Sequence, residues 1–248
     1  MTTRRTFLAA AGTTAAAGLT GCTELGGGDG DDGGDGGDGD GGSGNQGTPN
    51  GPVATAPVPD DPGATTYARM DAGASTTITY LGNWKCPFCA EFSTGSDRVL
   101  SLGTIVSDYV APGDLALEYR ALSYTGDGEP FLGPDAPRAA RAGLAVWNVD
   151  PDNYWRYHEH VMANQPAESK RWATKSKLVE FAREAGVSDP EAVGTAIGGG
   201  EYESEVRANT EFAANSGVEG TPAVVVGDAS YSPFEPDSLR SALEGATE

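Results

Sequence analysis

Apolar and polar positions divide the chain near residue 62. Before that point a short, mildly apolar run covers residues 9–19, residues 26–44 are almost entirely Gly and Asp, and residues 48–62 are Pro-rich, so no stretch there has the periodicity of a core element. After Pro62 the pattern changes. Thr76-Thr77-Ile78-Thr79-Tyr80-Leu81 is β-branched and aromatic and predicts a strand, central in its sheet. From Pro87 onward Phe88, Phe92, Val99, Leu102, Ile105, Val106 and Tyr109 recur at spacings of one helix face, and Ala111-Pro112-Gly113-Asp114 ends that helix. Residues 115–122 predict the next strand, which makes a β-α-β unit.

Residues from about 136 to 216 carry helical apolar faces: Ala139, Ala142, Leu144 and Ala145, then Tyr154, Tyr157, Val161 and Met162, then Leu178, Phe181 and Ala182. Gly217 closes the block. Ala223-Val224-Val225-Val226 predicts a strand, Gly227-Asp228 a two-residue hairpin turn, residues 229–232 its partner, and residues 236–243 a last helix. The order β-α-β, helical block, β-β-α predicts an α/β domain over residues 63–248: a central mixed sheet flanked by helices, with a helical insertion at about 136–216. There is no internal repeat. Gly198-Gly199-Gly200 lacks the Lys and Ser or Thr of a phosphate loop and is expected to link two helices.

Charge narrows the partners. The chain has 248 residues and a formal net charge of −20, from 36 acidic and 16 basic residues, which argues against nucleic acid or an anionic membrane face. The excess of Asp and Glu over Lys suits a protein kept soluble at high salt.

The leader carries its own chemistry. Arg4-Arg5, the apolar run and Leu19-Thr20-Gly21-Cys22 stand in the order of a twin-arginine export signal with a lipobox, so residues 1–22 are expected to direct export and Cys22 to receive a lipid that anchors the protein to the outer face of the cell membrane. The run is too short to span a bilayer. Residues 23–62 are expected to form a disordered tether, with an end-to-end distance of roughly 35 Å for a flexible coil of that length. Gly27-Gly28-Asp29-Gly30-Asp31-Asp32 outlines a calcium-binding repeat but lacks the interior apolar residue each turn needs, so no dedicated site is expected.

Only three cysteines occur, and Cys86 and Cys89 stand two residues apart where the first strand meets its helix. A Cys-x-x-Cys pair alone is compatible with a structural disulfide, half a zinc site or dithiol exchange. At a helix start, exchange has a physical rationale: the outer sulfur, Cys86, lies where unpaired N–H groups and the helix dipole favour a thiolate, and Cys89, one turn on, is sheltered yet able to attack a mixed disulfide. Pro87 suits the first helical position. Lys85 adds positive charge if it points inward. Zinc requires about four ligands, and the two histidines, His158 and His160, point to different sides of a helix. His158 is read as a packed or surface residue, not a base. Trp84 and Phe88 are candidates for an apolar rim that binds a peptide, although Trp84 also suits core packing.

Trp84-Lys85-Cys86-Pro87-Phe88-Cys89, the segment around Tyr154-Trp155-Arg156-Tyr157-His158, and Gly217-Val218-Glu219-Gly220-Thr221-Pro222 before a strand together resemble the DsbA-like branch of the thioredoxin superfamily, over most of residues 76–248. The resemblance implies a thioredoxin fold and a thiol:disulfide oxidoreductase that needs no bound cofactor, with Cys86 and Cys89 as its redox disulfide, a cis Pro222 facing them, and Thr221 presenting its backbone to substrate. It further implies exported protein thiols or disulfides as clients and a membrane protein as redox partner. We expect a monomer that works as an oxidase in preference to a reductase or isomerase. One departure is Phe88, where the best-known members place His. The rival expectation is a copper-binding module or carrier on the same fold, because two thiolates bind soft metal ions.

Overall fold

A computed structural model describes residues 50–247. The twin-arginine and lipobox segment, Cys22, the calcium-like repeat and most of the expected tether lie outside the described residues. Five strands form one sheet in the order β1-β3-β2-β4-β5: β1 (Arg69–Met70), β2 (Thr77–Gly82), β3 (Ala116–Ala121), β4 (Ala223–Val226) and β5 (Ala229–Tyr231). β2 is central, parallel to β3 with Thr77 opposite Ala116, and antiparallel to β4 with Tyr80 opposite Val224. β1 and β5 pair antiparallel at the two edges, so the sheet is mixed. β1 is too short to leave a periodic signal and was not expected. The β4–β5 turn falls at Gly227-Asp228, where Gly227 has φ 59, a left-handed conformation that glycine adopts without strain.

Period-two alternation sorts the strands into two faces. Ile78, Tyr80, Leu117, Tyr119 and Val224 point into the main core, and Leu81, Leu122, Ala223 and Val225 into a smaller cluster with Ala213 and Val218. Helix α1 (Pro87–Thr94) follows β2. The expected continuous helix to Tyr109 is corrected: Gly95, at φ 87, ends α1, and the later apolar residues belong to α2 (Leu102–Ile105) and a π-helical turn (Val106–Val110). Ser101 starts α2 by accepting the N–H of Thr104 at 3.1 Å.

The insertion comprises α3 (Ala136–Val149), α4 (Tyr154–Asn164), α5 (Lys175–Glu184), α6 (Pro190–Gly199) and α7 (Glu203–Asn215). Its local signals are plain in the sequence. Thr174 caps α5 and Asp189 caps α6 through side-chain oxygens, and Gly200, at φ 74, ends α6. Gly198 and Gly199 are therefore the last residues of α6, and only Gly200 is linker. Helix α8 (Pro236–Ala246) packs on β4.

The expected tether boundary at Pro62 is also corrected. Val53 is 1% exposed, Ala54 and Ala56 are buried, and Val53 and Ala56 join the main core. A turn with Thr55 N–H donating to the Gly51 carbonyl makes this possible, and the Asp71 N–H donating to Pro57 ties the segment down. Small apolar residues between prolines can fill a surface notch without helical or strand periodicity, so the pattern gave no sign of it.

Candidate functional site

The site is built where β2 hands over to α1. Cys86 takes the N-cap position of α1 with φ −77 and ψ 120, and Pro87 opens the helix, where its missing N–H leaves no bond unmade. The Cys86 N–H donates to Asn83, and its carbonyl receives the N–H groups of Cys89 and Ala90, each at 3.1 Å. Both sulfurs are unlinked thiols: Cys86 is 3% exposed and Cys89 is fully buried.

Their environments differ. When protonated, the Cys86 thiol donates to the Thr221 carbonyl at 3.3 Å, and the Asn83 N–H donates to the Cys89 sulfur at 3.4 Å. Hydrogen bonding with the Cys89 thiol, opposed by burial and reinforced by Thr221 and by the N–H groups of Cys89 and Phe88, holds the Cys86 pKa down at about 6. Burial, reinforced by Cys86 itself, pushes the Cys89 thiol well up. Near neutral pH one sulfur is a thiolate and its neighbour a thiol.

The structure brings together Cys86, Cys89 and Thr221, and the Thr221–Pro222 bond is cis, as the resemblance implies. Phe88 is 53% exposed, edge-on to Phe234 at 5.7 Å, and suits a rim. Trp84 does not. It is 1% exposed, lies against Gly143 of α3 and packs edge-on to Tyr119 and His158, so its expected place on a peptide-binding rim is corrected to the core. Trp84 lies in the turn between β2 and α1, closed by the Cys86 N–H donating to Asn83, and its indole points in.

Lys85 does point inward, but toward a carboxylate. Its ammonium donates to Asp135 at 2.6 Å and to the Lys170 carbonyl at 3.0 Å, in a pair whose side chains are 1% and 5% exposed. Burial alone would raise the Asp135 pKa, but the Lys85 ammonium and the Ala173 N–H hold its carboxyl below the ordinary range. His158 is fully buried, and burial pushes its pKa down to about 3, so the ring is neutral.

Two further residues of the site belong to no motif in the sequence. Asn83, 1% exposed, donates through its side-chain amide to Leu122 at 2.8 Å and Phe131 at 3.2 Å, and accepts the Lys85 N–H at 2.9 Å, fixing the loop before the cysteines. Gln165, at the end of α4, donates to the Cys86 carbonyl at 3.3 Å. Asn83 sits three residues before the first cysteine, and its position there is the only clue the sequence offers. Among the described residues no group of three or more His, Cys, Asp or Glu side chains is arranged to hold a metal ion.

A thiol pair at a strand-to-helix junction, facing a cis-proline loop on a mixed sheet, defines a thioredoxin-fold dithiol protein. The thioredoxin family model matches residues 65–245, and the chain belongs to that family. Among curated relatives, disulfide bond formation protein D of Bacillus subtilis is 24% identical over 172 residues, covering 69% of this chain and 72% of the relative. Two solved structures match in fold. BdbD from Bacillus subtilis has a TM-score of 0.63 at 24% identity, covering 78% of this chain and 98% of its own. Chlamydia trachomatis DsbA has a TM-score of 0.59 at 20% identity, covering 72% and 90%.

Proposed function

We propose that this protein is an extracytoplasmic thiol:disulfide oxidoreductase that gives disulfides to exported proteins through Cys86 and Cys89. The observation that carries the reading is the asymmetry of the two thiols: Cys86, beside the Thr221 carbonyl, has a pKa of about 6, and Cys89, fully buried, stays protonated. The curated relative's name, disulfide bond formation protein, supports the same chemistry.

In the donating direction a client thiolate attacks the Cys86 sulfur of the oxidised pair. A bond forms between the client sulfur and Cys86, the Cys86–Cys89 bond breaks, and Cys89 leaves and takes up a proton. The Asn83 N–H, aimed at the Cys89 sulfur, stabilises it as it departs. A second client thiolate then attacks the first client sulfur, and Cys86 leaves as the thiolate its pKa favours. A stabilised Cys86 thiolate is a good leaving group and lowers the free energy of the reduced enzyme, which makes the disulfide the stronger oxidant. Thr221 and Pro222 position the client chain beside the sulfur by strand-like hydrogen bonding, and Phe88 forms part of the rim. No bound cofactor is required.

The leader completes the reading: the twin-arginine signal exports the chain, the lipid on Cys22 anchors it outside the membrane, and a membrane protein reoxidises the monomeric enzyme. The reduction potential of the Cys86–Cys89 pair, equilibrated with glutathione at high salt, tests the direction. A value near or above about −180 mV supports a disulfide donor, and one near about −270 mV overturns that direction in favour of a reductase. A Cys89→Ser variant should trap mixed disulfides with exported proteins; stoichiometric Cu(I) on the two sulfurs without such adducts would sink the exchange reading.

A further inference from the structure

A groove of about 400 Å³ opens between the loop that follows β3 and the turn that leads from α7 to the cis-proline loop. Leu122, Phe131, Ala214 and Val218 form its apolar lining, Glu219 stands among its polar positions, and no Lys or Arg is among the lining residues. Two features tie it to the sulfurs. Glu219 lies two residues before Thr221, at most about 7 Å of extended chain, and the Thr221 carbonyl is 3.3 Å from the Cys86 sulfur. Leu122 and Phe131 also give their carbonyls to the Asn83 amide, whose own N–H reaches the Cys89 sulfur, so the groove wall and the cysteine loop are one hydrogen-bonded unit.

We infer that this groove is a client subsite, which takes an apolar side chain about two residues from the client's reacting cysteine and disfavours a carboxylate there. The inference rests on the reading of Cys86 as the exchanging sulfur. A client segment covalently held at Cys86 and running along Thr221 in an extended conformation advances about 3.3 Å per residue, so its second residue reaches the groove mouth. An apolar side chain removes Phe131 and Ala214 surface from water, over a floor of buried Leu122 and Val218. A client Asp meets the Glu219 carboxylate with no counter-charge in the lining.

The test uses the full chain with Cys22→Ser and Cys89→Ser, which leaves Cys86 as its single thiol, and peptides whose one cysteine is disulfide-linked to thionitrobenzoate. The Cys86 thiolate attacks the peptide sulfur, the peptide becomes disulfide-linked to Cys86, and the coloured thionitrobenzoate thiolate leaves, so electrons and sulfur bonds balance. A peptide with Leu two residues from its cysteine should react about tenfold faster than one with Asp there. Ala214→Trp, at an exposed position on α7 that faces the groove, should erase that preference while leaving the rate with the free cysteine derivative within about twofold. Equal rates for the Leu and Asp peptides on the unblocked groove overturn the subsite, and that comparison holds even if the Trp variant does not fold. No reaction with the small cysteine derivative overturns the exchange reading itself, so the two failures are distinguishable.

Discussion

The polar residues of the cysteine junction, Asn83, Lys85, Cys86 and Cys89, and the aromatic layer beneath them, to which Trp84 of the same segment belongs, are comparably buried, yet they treat polar atoms in opposite ways. At the junction, Asn83, the Lys85 ammonium and both sulfurs all have hydrogen-bond partners within the chain. In the layer of Tyr80, Trp84, Tyr119, Tyr157 and His158, the three hydroxyls, the indole N–H and both imidazole nitrogens have none. Ionisation follows that split. Burial drives the layer's tyrosines up, reinforced at Tyr80 and Tyr119 by the cysteine sulfurs and neighbouring tyrosines, and burial alone drives His158 down, leaving every group neutral. Fixed donors and a counter-ion allow the junction to hold an ammonium, a carboxylate and a thiolate. A neutral floor under an ion-tolerant rim suits a pair in which one sulfur is to ionise and the other to stay protonated.

The largest effect should come from breaking the junction's ion pair. Lys85→Met leaves the Asp135 carboxylate, 5% exposed, with backbone N–H donors but no counter-charge, and should cost about 3–5 kcal/mol in urea unfolding. Lys85→Met combined with Asp135→Leu should recover most of that loss, because two apolar side chains leave no buried charge. A cost below about 1 kcal/mol for the single variant would mean that the junction does not depend on paired charge, and the contrast with the layer would collapse.

The layer makes the next prediction. His158 stays neutral in the folded chain down to a pH of about 3, whereas the unfolded chain protonates it near its ordinary value of 6.5. Between those values the unfolded state binds more protons, so His158 lowers stability as pH falls through that window, by up to about 1.4 kcal/mol per unit. At pH 5 the deficit is about 2 kcal/mol. His158→Leu should therefore flatten the acid limb of the stability curve relative to the parent chain, while Asp135 and Asp150, whose pKa values are both lowered, titrate alike in the two. Parallel curves would show that the imidazole has a partner when folded.

Much of this contrast follows from features that are unequally legible in a sequence. Strand β2, the β-α-β unit and the β4–β5 hairpin follow from period-two runs and turn residues, and the Cys-x-x-Cys spacing carries its chemistry openly. The break at Gly95 does not, because Phe92 and Val99 keep a helical spacing on both sides of it. Trp84 and Phe88 are both aromatic and both close to the cysteines, and only the direction of each side chain separates core from rim. Asn83 and Asp135 act through contacts 39 and 50 residues away in the chain. No local pattern encodes such pairings.

The smallest effect isolates what tunes Cys86. The N–H of Phe88 is among the donors that lower its pKa, whereas the Phe88 ring is half exposed, against Phe234. Phe88→Ala keeps the N–H and should move the Cys86 titration, followed by thiolate ultraviolet absorbance, by less than about 0.3 units, with a stability change within about 0.5 kcal/mol. Phe88→Pro removes an N–H of the first helical turn that has no intrahelical partner to lose, and should raise the midpoint above about 6. Because Cys89 stays protonated through this range, the absorbance reports Cys86 alone. Equal midpoints for the two variants would transfer the tuning from the backbone of the first helical turn to Thr221 and Cys89. A shift confined to Phe88→Pro would assign a share of it to a main-chain donor, which any residue but proline supplies between the two cysteines.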